Sequence, residues 1–195
     1  MINRRMMTAV LLATVSVGCQ TLQDVESAYY QIPVGSRLVL HKEIPIPPEA
    51  ARIKIQGGEV RHYGLVDEYE PFCELEVEEV RSVAQRVHPD EFVITKVDHR
   101  TYDVGLSRDR VASLGMRIGF GGDGPLQTFY ATILQLRSEA QPNVLKLTCQ
   151  NDQRAFPGIL YARHLTVAEI REALGTLFSL QLLGENSSER PSAGR

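Results

Sequence analysis

The densest run of side chains able to do chemistry is Asp98-His99-Arg100-Thr101-Tyr102-Asp103. Side chains two residues apart share a face of an extended strand. His99 and Asp103 would therefore stand together with Thr101, an arrangement from which a general base or a metal site can grow. Asp98 borders the same candidate set. The composition equally fits the exposed end of a hairpin, where polar residues collect for solubility. No serine or cysteine in a recognisable nucleophile elbow lies nearby, which favours the hairpin reading and leaves a hydrolase around His99 as the alternative.

Other motifs carry less. The five histidines, His41, His62, His88, His99 and His164, show no HxH, HxxxH or HExxH spacing. No metal site is expected from sequence, although ligands can converge in space. His164 is expected at the surface, just ahead of a helix cap. Gly119-Phe-Gly121-Gly122-Asp-Gly124 matches GxGxxG in form only. Pro125 follows it, and the next segment is β-branched and aromatic, so the strand-to-helix context that holds a pyrophosphate is missing. No cofactor is expected. Glu74, Glu76, Glu78 and Glu79 lack a calcium-loop pattern and read as a solvated strand face.

Positioning any such group falls to a series of short strands. Arg37–Ile44 is followed by Pro45, Pro47 and Pro48. Ala51–Gln56 alternates cleanly, then Gly57-Gly58 turns the chain into Glu59–Tyr63. Cys73, Leu75 and Val77 alternate with glutamates, and Leu145, Leu147 and Cys149 alternate with polar residues, so both cysteines point inward. Glu91–Val97, Leu114–Phe120 and the long apolar Leu126–Arg137 complete the set. Thr166 and Glu169 form a capping box ahead of Val167, Ile170, Ala173 and Leu174, and Gly175 is the stop. Thr176–Leu183 fits a last strand slightly better than more helix. The expected fold is mainly β: a sandwich or barrel-like antiparallel sheet of seven or eight strands with one C-terminal helix.

The first nineteen residues look exported. Arg4 and Arg5 precede an apolar run from about Thr8 to Val17, too short to span a bilayer as a stable helix, then Gly18 and Cys19. Val17-Gly18-Cys19 resembles the lipobox of bacterial lipoprotein precursors, with Ser16 standing where that family usually has Leu. The resemblance implies removal of residues 1–18, acylation (palmitate among the chains) of Cys19, and, with Gln20 following, outer-membrane sorting. An ordinary cleaved signal peptide with a soluble periplasmic product is the alternative. Residues 19–33 then read as a lipid-anchored tether, 34–184 as one β-rich domain, and 185–195 as a disordered tail. The remaining cysteines, Cys73 and Cys149, are expected to pair in an oxidising compartment.

Of 195 residues 43% are hydrophobic, enough for one domain with a core, and the net charge is −3. That balance argues against a nucleic-acid partner, which calls for a basic stripe. The pattern of IPPEAARIKIQGG, PFCELEV and LKLTCQND ahead of HLTVAEIREALG resembles a group of proteobacterial envelope lipoproteins. The resemblance implies a location and carries no catalytic residues. The function expected is therefore a non-catalytic binding or envelope-support role, with the membrane, through acylated Cys19, and another envelope protein as partners. The alternatives are a hydrophobic-ligand or lipid carrier and the periplasmic hydrolase near His99.

Overall fold

Alternation of apolar and polar residues decides which way each strand faces, and register then stacks the apolar sets into one core. The computed structural model describes residues 24–62, 64–104, 127–151 and 163–185. Its strands are β1 (Arg37–Leu40), β2 (Ile44–Ile46), β3 (Arg52–Gln56), β4 (Glu59–Arg61), β5 (Phe72–Val77), β6 (Gln85–Val87), β7 (Asp90–Val104), β8 (Gln127–Arg137), β9 (Val144–Gln150) and β10 (Phe178–Gln181), with helix α1 (Val167–Leu174) before the last. Eight strands form one antiparallel sheet in the order β10-β1-β7-β8-β9-β5-β3-β4, and β2 pairs with β6 separately. The sheet curls into a half-barrel. The mainly β fold with one late helix is the one the sequence implied.

Directly opposed residues share a face. Ile53, Leu75, Leu147, Leu134 and Val97 thus make one lateral row on the inner face across β3, β5, β9, β8 and β7. The next row is Ile55, Cys73, Cys149, Thr132 and His99. Leu38, Ile55, Leu75, Ile94, Leu134 and Leu147 are fully buried and fill the curl. At about 1.5–3 kcal/mol for each fully buried side chain of this kind, these residues dominate the stability. On the other face Glu76 is held by Arg52 at 2.9 Å and Lys146 at 3.1 Å.

Helix α1 starts where the capping box puts it. The Glu169 amide donates to Thr166 Oγ1 at 3.2 Å, and the Thr166 amide donates to Glu169 Oε2 at 2.7 Å. Val167, Ile170, Ala173 and Leu174 are its buried face. Its C-terminus is pinned to the β3–β4 turn: the Gly58 amide donates to the Ala173 carbonyl at 3.0 Å. A Cβ on Gly175, which has φ 52°, would lie 2.6 Å from Gly58 Cα, so only glycine fits. The chain then enters β10, at the opposite end of the strand order. Arg171 on the helix donates to the Leu180 carbonyl at 2.9 Å and occupies part of that edge.

Several elements differ from expectation. Arg37–Ile44 is two strands because the chain leaves β1 after Leu40, where the His41 amide turns to the Leu177 carbonyl. Pro45 sits exposed in β2, whose two-stranded pairing asks less of its missing amide. The expected tether is part of the domain from Val25 onward: Ile32 is buried, and Val25 and Tyr30 pack on the core. Residues 1–23 (Cys19 among them), the Leu114–Phe120 strand, the glycine run at 119–124 and the tail from 186 on lie outside the described residues.

Candidate functional site

The polar run at 98–103 is not a hairpin end. It lies inside β7, which pairs with β8 without a break from Lys96 to Val104. The bulge between Ile94 and Lys96 resets the alternation, so that Val97 and His99 continue the inner face begun by Phe92 and Ile94. Asp98 falls on the opposite face and binds Lys96 at 2.8 Å. Asp103 opposes Thr128 in register, on the same parity as His99, and its side chain lies outside the described residues. The structure therefore separates Asp98 from His99 and does not make an acid–base pair of them.

What His99 meets instead is His164. Their rings contact edge to face, with centroids 4.6 Å apart. Tyr130, opposite Thr101 on β8, packs its ring against the other side of the group, 5.5 Å from the His164 centroid. Thr132 lies directly across from His99 and is 1% exposed. His164 is half-buried, against the expectation of a surface residue. Its position is set by the helix cap on one side and Leu165, buried in the core, on the other. Arg163 donates to both carboxylate oxygens of Glu169 at 2.7 Å, which fastens the segment just before α1. That ion pair, more than burial, holds the Glu169 carboxyl below its ordinary range.

Electrostatics keeps both imidazoles neutral. Burial pushes the His99 pKa down, and the nearby Asp98 charge only partly opposes this. For His164 burial again leads, the charge of a protonated His99 adds to it, and a hydrogen bond to the Ala131 backbone works the other way. Two buried polar atoms here have no partner: Thr132 Oγ1 and His164 Nδ1. Buried groups of this sort normally find one, so the cluster is polar and incompletely satisfied. With a neutral histidine pair, a phenol and a hydroxyl, it can accept or donate single hydrogen bonds. It lacks an adjacent carboxylate to orient a base, and among the described residues no three histidine, cysteine, aspartate or glutamate side chains are grouped to hold a metal.

Along the same row, Cys73 and Cys149 face each other with sulfurs at bonding distance, 2.07 Å, and Cα atoms 4.0 Å apart. Both are fully buried. A shallow depression of about 380 Å³ lies elsewhere, lined by Glu91, Val93, Thr95, Arg137, Ser138 and Glu139, and shares no residue with the histidine cluster. Sequence reasoning missed Tyr130, Thr132 and His164. Their β pattern showed that they sit on strands or near a cap, but only the β7–β8 register shows that they meet His99.

No family model matches the chain, and no solved structure matches it. Short stretches are similar to peptidyl-tRNA hydrolases. Identity is 46% over 41 residues with the enzyme of Pseudomonas savastanoi pv. phaseolicola, 44% over 41 with that of Pseudomonas syringae pv. tomato, and 49% over 39 with that of Methylobacillus flagellatus. The first match covers 21% of this chain and 21% of the hydrolase, so the likeness spans about a fifth of either protein.

Proposed function

We propose that this protein is an exported lipoprotein, held at the periplasmic face of the outer membrane by acyl chains on Cys19, whose β-rich domain has a non-catalytic binding or envelope-support role. One observation carries the reading. Cys73 and Cys149 oppose each other in register on β5 and β9, buried, with their sulfurs 2.07 Å apart. A bridge of that kind forms and persists in an oxidising compartment and is rare in the cytosol. It agrees with the basic, then apolar, then Gly18-Cys19 order of the N-terminus.

The alternatives gain less support. A carrier needs room for its ligand, and the inside of the half-barrel is filled by Leu38, Ile55, Leu75, Ile94, Leu134 and Leu147. A hydrolase needs His99 beside a carboxylate and an accessible nucleophile, whereas its inner-face neighbours are Tyr130, His164 and the buried Thr132. The likeness to peptidyl-tRNA hydrolases covers a fifth of their length, and a net charge of −3 supplies no basic stripe for tRNA.

Intact-mass and peptide analysis of the native protein, alkylated before and after reduction, tests the reading. The expected result is a mature chain beginning at an acylated Cys19 in the membrane fraction, with Cys73 and Cys149 alkylated only after reduction. A cytosolic chain that retains Met1 and alkylates at both cysteines without reduction would overturn it.

A further inference from the structure

Lipid attachment fixes where the chain begins but not which side of the domain meets the bilayer. The described chain starts at Asp24, five residues after Cys19. Five residues span at most about 18 Å when fully extended. Whatever surface surrounds residues 24–36 is therefore held near the lipid headgroups, with a high effective concentration, and a modest apolar patch suffices for docking there.

Such a patch is present. Val34 and Leu183 are exposed at 58% and 62%, and Tyr29 at 76%. They belong to two segments that are tied together. The Leu183 amide donates to Ser36 Oγ at 2.9 Å, and a Cβ on Gly35 would touch Leu183 Cδ2 at 3.4 Å. The turn itself is fixed to the sheet by the Gly35 amide donating to the Ile94 carbonyl at 2.8 Å. Tyr30, next to Tyr29, feels the charges of Glu185 and Arg171, which places the tyrosine segment beside the turn after β10. Asp24, Glu26 and Glu185 are the exposed charges on these same two segments. They offer no attraction to anionic headgroups.

We infer that Tyr29, Val34 and Leu183 form the face by which the domain lies on a phospholipid bilayer, through apolar contact and without help from charge. This rests on the acylated Cys19 proposed above. Docking on this face would leave the β4 edge, whose three residues are all exposed, available to a soluble or membrane-anchored partner.

The chain contains no tryptophan, so a single introduced one is a clean reporter. The mature acylated protein, carrying Tyr29→Trp, Val34→Trp or Leu183→Trp in turn, is reconstituted in phosphatidylethanolamine–phosphatidylglycerol vesicles with nitroxide-labelled acyl chains. Val80→Trp, 59% exposed in the rival apolar stretch between β5 and β6, is the comparison. Three reporters keep the test intact should one variant misfold. The expected result is quenching several-fold stronger at 29, 34 and 183 than at 80, unchanged when phosphatidylglycerol is left out. Equal quenching at all four sites, or stronger quenching at 80, overturns the docking face while a measured lipid mass on Cys19 leaves the anchor standing. Quenching that vanishes without phosphatidylglycerol overturns the apolar basis. A protein with no lipid mass overturns anchor and docking face together.

Discussion

The two ends of β7 both carry polar side chains, and they treat them in opposite ways. At its start, Asp90 accepts from Ser138 Oγ at 2.5 Å and from Gln141 Nε2 at 3.1 Å. Gln141 also exchanges hydrogen bonds with the backbone of His88, both at 2.8 Å. Ser138 Oγ, 8% exposed as a residue, accepts from the amides of Ala140 and Gln141 as well. Further along, the inner face carries His99 against His164, with Thr132 Oγ1 and His164 Nδ1 buried and unpartnered. A satisfied polar network fixes one geometry, here the β8–β9 turn against the start of β7, while an incompletely satisfied one costs free energy where it stands. The first region is scaffold. The second is where this fold tolerates a defect, and such places are the ones to probe for function.

The largest effect expected belongs to the row that contains the defect. Cys73→Ser and Cys149→Ser should each lower unfolding free energy by about 2–4 kcal/mol, and the double variant should be no worse than either single one, because one bridge is lost in all three. Losses that add in denaturant titrations would mean that the sulfurs are not bonded. Next comes the satisfied end: Asp90→Ala strips Ser138 and Gln141 of a charged acceptor and should cost about 2 kcal/mol. A cost no larger than that of a bland surface substitution would erase the contrast between the two ends.

Thr132→Val is the complementary experiment. The hydroxyl it removes has no partner and lies in a residue that is 1% exposed. Chemical denaturation should show the variant as stable as the natural protein or better by about 1 kcal/mol, since desolvating an unpaired hydroxyl is what is being relieved. A clear loss of stability would show that Thr132 is satisfied in solution and that the cluster is scaffold after all.

How much of this was readable in the sequence depends on how local each signal is. Cys73-Glu74-Leu75-Glu76-Val77 and Leu145-Lys146-Leu147-Thr148-Cys149 announce inner and outer faces by alternation alone, and the register places their cysteines opposite each other. Thr166 and Glu169 announce the helix start within four residues, and both reciprocal hydrogen bonds are present. Asp98–Asp103 misleads because its composition is that of a loop, and it is strand only because β8 pairs with it along its length. No local rule contains that pairing. The same holds for His164: its neighbour His99 comes from a strand placed by register and a bulge, neither of which is written in the residues around the helix cap. β2 and β6 are three residues each, one of them containing Pro45, so too short for a periodic signal.

The smallest effect expected separates the two ends by pH. Both histidines have folded pKa values below their ordinary 6.5, so the unfolded chain binds the extra protons first and acid destabilises the fold. Stability should begin to fall as pH drops through about 6.5. At the other end, hydrogen bonds from Ser138 and Gln141 and the Glu91 amide together outweigh burial and hold Asp90 below its ordinary 3.8. A depressed carboxylate contributes stability above its unfolded pKa and loses it only as pH falls below that value. The two regions therefore titrate in separate windows. His164→Phe keeps an aromatic edge beside His99 and removes one of the two protonation sites, so it should flatten the decline between pH 7 and 5 while leaving the steeper loss below pH 4 in place. Thermal unfolding midpoints of the two proteins across pH 3 to 8 decide the matter. Parallel curves down to pH 5 would mean that His164 is as solvated as an ordinary surface histidine, and the contrast between the ends of β7 would then lie in packing alone.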